Sequence, residues 1–177
     1  MMTAFTLDKV HSGIAFQVKH MMVSKTKGEF TSFDVQIDGD VNNLEAAKWT
    51  VTIDTASIDT NNEDRDNHLR SGDFFDAENH PHITFVSDSI KKVSDDEYEV
   101  TGQLTIKGVT NTETFAVEFN GTSKSPMDGS TIAGFDAEGK VNREAYGLTW
   151  NAPLETGGVL VGKDVKFSAN FEFVVGE

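Results

Sequence analysis

Apolar residues recur at every second position along most of this 177-residue chain, and helical three-and-four spacing is nearly absent. In "SGIAFQVKH" the even positions Ile14, Phe16, Val18 and His20 share one face, while Ala15, Gln17 and Lys19 share the other. That pattern is a half-buried β-strand. It repeats at Phe33, Val35 and Ile37; at Trp49, Val51 and Ile53; at Ile83 and Phe85; and at Tyr98, Val100, Leu104 and Ile106. Further on come Phe115, Val117 and Phe119, then Ile132 with Phe135 and Ala137 after a break of parity, then Val165 to Val175. Eight strands are therefore expected. "DGDVNN", "SDDE", "IKGVTN", "SPMDGS" and "TGGVLVGK" supply the turns between them. An antiparallel meander of eight strands loses its exposed edges by closing, so the expected fold is an all-β, eight-stranded antiparallel barrel in one domain spanning residues 1–177. One short helix, at about residues 62–72, is expected to lie across a connection.

An eight-stranded barrel is just wide enough to be filled by its own side chains or to hold one ligand. Thirteen phenylalanines dominate the inward positions, with small residues such as Ala137 and Ala169 among them. Composition leaves a packed core and a hollow apolar lumen equally open.

The formal net charge of −14 opposes binding to a phosphate backbone, and on the same ground disfavours anionic membrane surfaces. With no cysteine, disulfides, thiolate metal sites and cysteine nucleophiles are excluded. The opening "MMTAFTLDKVHSG" has neither a basic nor an apolar leader region, which makes a cytoplasmic location the expectation.

The stretch "DRDNHLRSGDFFDAENHPHITF" gathers most of the chemistry-bearing residues. As a metal site it offers His68, His80 and His82 among Asp64, Asp66, Asp73 and Asp76, yet Pro81 disturbs the strand geometry and no HExxH-like spacing is present. A calcium loop from Asp59 fails, with Asp64 where the turn glycine belongs and Arg70 where the bidentate glutamate belongs. Asp8, His11 and Ser12 resemble a nucleophilic set only in composition, since neighbours on a strand face opposite ways; a hydrogen-bonded strand entry explains them. As a lid the stretch is coherent. Asp66 and Arg70 are spaced for an ion pair that braces a helix, and Leu69, Phe74 and Phe75 provide an apolar underside. A second mouth element is "NREAYGLTWNAPLETGGVLVGKDV", where Arg143, Tyr146 and Trp150 offer polar or stacking contacts and Gly157, Gly158 and Gly162 loosen the loop. Arg143 could equally pair with a surface carboxylate.

The segments "LDKVHSGIAFQVKHM", "KGEFTSF", "DTNNEDRDNHLRSGDFFDAENHPHITF", "GQLTIKGVT", "KVNREAYGL" and "VLVGKDVKF", in this order, resemble the YceI-like family of lipid-binding proteins. The resemblance implies a lipocalin-like antiparallel barrel, often a homodimer, holding a long polyisoprenoid or isoprenoid-quinone-like lipid. The protein would be a soluble carrier, store or scavenger, with no catalytic residue, no metal and no required cofactor beyond that bound lipid. Transient contact with a membrane would serve such a role. Many family members are periplasmic, whereas this chain reads as a cytoplasmic relative. Arg65, Asp66, His68 and Leu69 carry the lid role by the same resemblance. The expected ligand contacts on the barrel wall are Phe16, Val18, His20, Phe30, Phe33, Val51, Ile53, Phe85, Leu104, Ile106, Phe115, Val117, Phe135, Phe167, Ala169 and Phe171. At its mouth they are Arg65, Leu69, Phe74, Phe75, Arg143, Tyr146 and Trp150. Two other classes stay open: an enzyme acting on a prenyl lipid inside the barrel, with His20 as its inward polar group, and a solid barrel serving as an interaction module.

Overall fold

Alternation becomes one curled antiparallel sheet. The computed structural model describes residues 4–21, 23–151 and 161–176. Its strands are β1 (Ala4–Leu7), β2 (Gly13–His20), β3 (Ser24–Phe30), β4 (Phe33–Asp40), β5 (Asn43–Asp54), β6 (Ile58–Asp59), β7 (His82–Lys92), β8 (Glu97–Ile106), β9 (Val109–Lys124), β10 (Thr131–Asn142) and β11 (Val161–Gly176). Helix α1 spans Glu63–Arg70, and 3₁₀ turns lie at Lys9–His11, Thr55–Ser57 and Arg143–Tyr146.

The strands follow the order β4-β5-β7-β8-β9-β10-β11-β2-β3-β6, and β1 also pairs with β11. Among the described residues eleven strands thus replace the expected eight. The three additions lack a legible apolar period, for two reasons. β1 and β6 are too short to show a period. β3 turns Thr26, Gly28 and Phe30 inward, so its core face carries little apolar alternation. Gly28 is small because the Phe16 ring fills the space, and a Cβ there would stand 2.5 Å from Phe16 Cζ. That constraint comes from the neighbouring strand.

Among the described residues no ladder joins β3 to β4, so the sheet is a half-barrel. Its two ends are drawn together by the short link after Phe30, where Thr31 N–H donates to the Ser57 carbonyl and Asp54 N–H to the Ser32 carbonyl. The break of parity foreseen in β10 is a register irregularity between Ala133 and Phe135. Beyond it the inward residues are Phe135, Ala137, Gly139 and Val141.

One end of the interior is packed solid. Trp49 meets Phe135 edge-on at 5.0 Å, Phe119 stacks on Phe135 at 5.0 Å, and Phe173 is T-shaped to Phe135 at 5.8 Å and to Phe5 at 5.7 Å. Phe135 and Phe173 are completely enclosed. The opposite end is built differently.

Candidate functional site

Two apolar cavities occupy the interior beyond this packed floor. The lower, of about 110 Å³, is walled by Val51, Ile53, Phe85, Leu104, Phe115, Val117, Ala169 and Phe171, with Ile14, Trp49, Ile83, Val100 and Ala137 completing it. The upper, of about 70 Å³, is walled by Phe16, Val18, Phe30, Phe74, Phe75 and Arg143, with Val141, Leu148, Val161 and Val165. Ile106 and Phe167 line both, and they form the partition. Small residues make the lower space where Ala137 and Ala169 face each other in register; Gly139 instead makes room for the Phe115 ring, which fills the place of its Cβ.

Seven of the expected contacts line neither cavity. Phe135 belongs to the floor, and Phe33 packs beside Phe171 at 6.1 Å between ring centres. His20 ends β2, half-buried and in register with Ser24 and Val161, so it sits at the rim of the lumen and not within it. Arg65, Leu69, Tyr146 and Trp150 belong to the closures. The wall residues not foreseen as contacts, such as Ile83, Val100 and Val165, share the inward parity of strands already recognised; that parity was the signal.

Helix α1 starts where expected in kind and stops slightly short. Asn62 caps it, accepting from Arg65 N–H at 3.0 Å, and acidic Glu63, Asp64 and Asp66 fill its first turn, where the helix dipole favours them. Asp66 and Arg70 do not pair with each other. Asp66 is buried and accepts from both the Thr60 backbone N–H and its hydroxyl, while Arg65 donates to the Thr60 hydroxyl and carbonyl at 2.7 Å each. Arg70 donates to the Ala56 and Ile58 carbonyls and to Asn67. Helical spacing alone would join the two charges, but the segment around β6 takes both, Asp66 through buried Thr60 and Arg70 through the Ala56 and Ile58 carbonyls. The roof is accordingly formed by Phe74 and Phe75 after the helix, with Leu69 packed on the core beside them.

The second closure turns on Arg143. Its guanidinium is buried and donates to four carbonyls: Gly162 at 2.8 Å, Leu148 at 2.6 Å, Trp150 at 3.1 Å and Val161 at 3.2 Å. The alternative partner, a surface carboxylate, is not used. Burial lowers its pKa from the usual arginine value, with Glu144 opposing the shift. One side chain thus fastens both the Leu148–Trp150 segment and the start of β11 to the same turn. Of the glycines expected to loosen this loop, Gly162 is the second residue of β11, and Gly157 and Gly158 lie outside the described residues. Trp150 closes an aromatic triangle with His68 at 4.8 Å and Phe74 at 5.4 Å, so the two closures lean on each other.

Inside the same end, sequence reasoning missed Glu113. It shares the inward parity of Phe115 and Val117, opposite Gly102. An acidic residue at an inward position was the available sign. Burial raises its pKa, partly offset by the Tyr146 hydroxyl. Tyr146 is fully enclosed, and its hydroxyl finds no well-aligned hydrogen bond among the described residues, although Asn111 and Glu113 lie close enough to act on its proton. Burial first, then the Glu113 charge, pushes its pKa far above the ordinary tyrosine value.

The histidines of the lid stretch go separate ways: His68 to Asp73 at 3.0 Å, His82 to Asp54 at 3.4 Å, His80 against Gly108. Asp8, His11 and Ser12 form a strand entry. Asp8 caps the 3₁₀ turn and meets His11 Nδ1 at 2.8 Å, and the Ser12 hydroxyl accepts from Glu172 N–H. Glu172 also approaches His11 at 3.2 Å, so Asp8, His11 and Glu172 are, among the described residues, the one group with metal-ligand spacing. His11 is largely solvent-exposed, and its pKa is raised by the Asp8 hydrogen bond first.

Comparison with known proteins matches residues 5–173 to the family described as YceI-like domain. A UPF0312 protein of Staphylococcus aureus strain USA300 is 55% identical over 176 residues, covering 99% of this chain and 100% of that one. Another, from Staphylococcus epidermidis, is 56% identical over 174 residues, covering 98% and 99%. Among solved structures, Burkholderia cenocepacia BcnA superposes with a TM-score of 0.82 at 27% identity, covering 94% of this chain and 98% of that one. A polyisoprenoid binding domain from Saccharophagus degradans, implicated in plant cell wall breakdown, shares the fold at a TM-score of 0.69 and 13% identity, covering 97% and 98%.

Proposed function

We propose, proceeding from the fact that the chain belongs to the YceI-like domain family, that it holds a long apolar lipid of the polyisoprenoid or isoprenoid-quinone type inside the half-barrel and carries or stores it unchanged. The observation that carries this reading is the pair of apolar cavities stacked between the aromatic floor and the two closures, with small residues where the wall could have been filled. The polyisoprenoid-binding neighbour supports the ligand class.

Size sets the mechanism. A dry apolar cavity of about 150 Å³ accommodates one benzene ring. Each cavity here is smaller and the two together scarcely exceed it, so a long chain enters only if Ile106 parts from Phe167 to join them and the surrounding wall and closures spread as well. Water is not the reference for such a ligand. Burial gains about 0.8 kcal/mol per CH₂ relative to water, but a bilayer interior is as apolar as this lumen, so transfer between them is near neutral per carbon. Selectivity then rests on shape and on head-group contact at the closed end, where Arg143 lines the upper cavity while Glu113 and Tyr146 line neither.

The test is organic extraction of protein purified from its host without detergent, followed by mass spectrometry. The expected result is one prenyl lipid per chain. Protein free of lipid, or carrying only a mixture in proportion to the host's bulk lipids, overturns the reading.

A further inference from the structure

A net charge of −14 hides a basic face. Across four adjacent strands, β10, β11, β2 and β3, the outward residues Lys140, Lys166, Gln17 and Lys27 stand side by side in register. Lys19 faces Lys25 in the next row, and Lys163 sits on the β11 irregularity between Val161 and Val165. Six of the twelve lysines in the chain therefore share one face. All six are exposed. Among the described residues Lys140 is the one member with an ion pair, to Asp164 at 3.6 Å.

Like charges directly opposite on neighbouring strands destabilise a sheet. Lys140 against Lys166 and Lys19 against Lys25 are two such pairs. One row further along the same strands the sign reverses, with Glu138 and Glu29 at the two sides of Ser168 and Ala15. The face itself holds two carboxylates, Asp164, paired with Lys140, and Glu144, against its six lysines.

Two further features adjoin the lysines. The β2–β3 turn projects Met21 and Val23 beyond Lys19 and Lys25, with Val23 87% exposed. A groove of about 780 Å³ runs between the lysines, and its floor includes Val18 and Val161. Those two residues also wall the upper apolar cavity. The basic face therefore lies directly over the end of the lumen.

We infer that this face docks the protein on an anionic lipid bilayer, with the lysines at the head groups and the Met21 and Val23 side chains dipping into the interface. The acidic remainder of the surface does not prevent this. Screening over about 8 Å at physiological ionic strength leaves each lysine near the bilayer answering mainly to the lipid charge beside it. The geometry extends the carrier reading by assigning the place where lipid would be exchanged.

The experiment is flotation with vesicles containing equal parts phosphatidylglycerol and phosphatidylcholine, compared with phosphatidylcholine alone. The wild-type chain binds the anionic vesicles and releases them as salt is raised. The combined Lys19→Gln, Lys25→Gln, Lys140→Gln and Lys166→Gln variant is expected to lose at least a hundredfold in affinity, since each lysine near such a surface is worth about fivefold. A matched variant of Lys48, Lys91, Lys92 and Lys124 to glutamine carries the same charge change and keeps binding. Met21→Ser with Val23→Ser gives a smaller loss that salt does not reproduce. Folding is secure in the first variant, because removing facing like charges leaves its melting temperature unchanged or raised. Equal loss in the two quadruple variants overturns the inference. So does indifference of the wild type to phosphatidylglycerol, or tighter binding to polyaspartate or an oligonucleotide than to vesicles. The vesicles contain no prenyl lipid, so failure of the cargo reading leaves this result unaffected.

Discussion

Consecutive cross-strand pairs on β10 and β11 mark two different uses of one wall. Phe135 faces Phe171, and two residues further on Ala137 faces Ala169. Phe135 belongs to the floor, where it meets Trp49 at 5.0 Å and Phe173 at 5.8 Å, and Phe171 stands at its boundary as the first ring of the cavity wall; the second pair opens the lower cavity. The same sheet therefore stabilises the molecule at one end and keeps space at the other. Stability and vacancy have been separated along the barrel axis. Where space is kept, the missing packing is replaced by polar closures that grip the backbone through Asp66, Arg65, Arg70 and Arg143.

If that division holds, the largest effect comes from the floor. Phe135→Ala should cost about 3 to 5 kcal/mol in denaturant unfolding while the folded fraction still yields lipid on extraction. A cost under about 1 kcal/mol would mean the floor is as loose as the rest. Next in size is Arg143→Met, expected to cost about 2 to 4 kcal/mol because four carbonyls lose their donor, two of them on the segment leading into β11. Arg143→Lys should recover only part, since an ammonium cannot reproduce the guanidinium fork. Asp66→Ala should cost less, about 1 to 3 kcal/mol, because Arg65 keeps its bond to the Thr60 carbonyl.

Ala169→Leu sharpens the comparison by its sign. In a cavity the added side chain should stabilise the lipid-free protein by about 0.5 to 2 kcal/mol and reduce recovered lipid. Loss of about 1 to 3 kcal/mol instead, with lipid unchanged, would show a packed wall. The smallest effect is expected at Glu113, half-exposed and screened by water. Its folded-state pKa lies above the ordinary 4.5, so the folded chain holds that proton more tightly than the unfolded chain does. The parent is therefore relatively most stable below the ordinary value and loses that advantage as pH rises through the folded value. Glu113→Gln removes the loss, so its melting temperature should exceed the parent's near neutral pH and converge with it in acid.

Period-two alternation was enough to reveal eight of the eleven described strands and their inward residues, and turn-residue clusters and the 62–72 stretch revealed most turns and a short helix within two residues of its ends, because each depends on neighbours along the chain. Much of the cavity wall follows from the same parity. Other properties needed the assembled sheet. Gly28 makes sense only beside Phe16, and Asp66 leaves its helical neighbour Arg70 because a buried Thr60 offers more. Arg143 holds carbonyls up to nineteen residues away. Residues 27, 140 and 166 show no relation until strand register sets them in one row, since charge sums over the whole chain but acts over a few ångströms. The sequence by itself determined which side of each of the eight recognised strands turns inward, a local steric matter. Only the tertiary structure decided which end is packed, which is hollow and where the charges gather, because packing and electrostatics depend on distances through space.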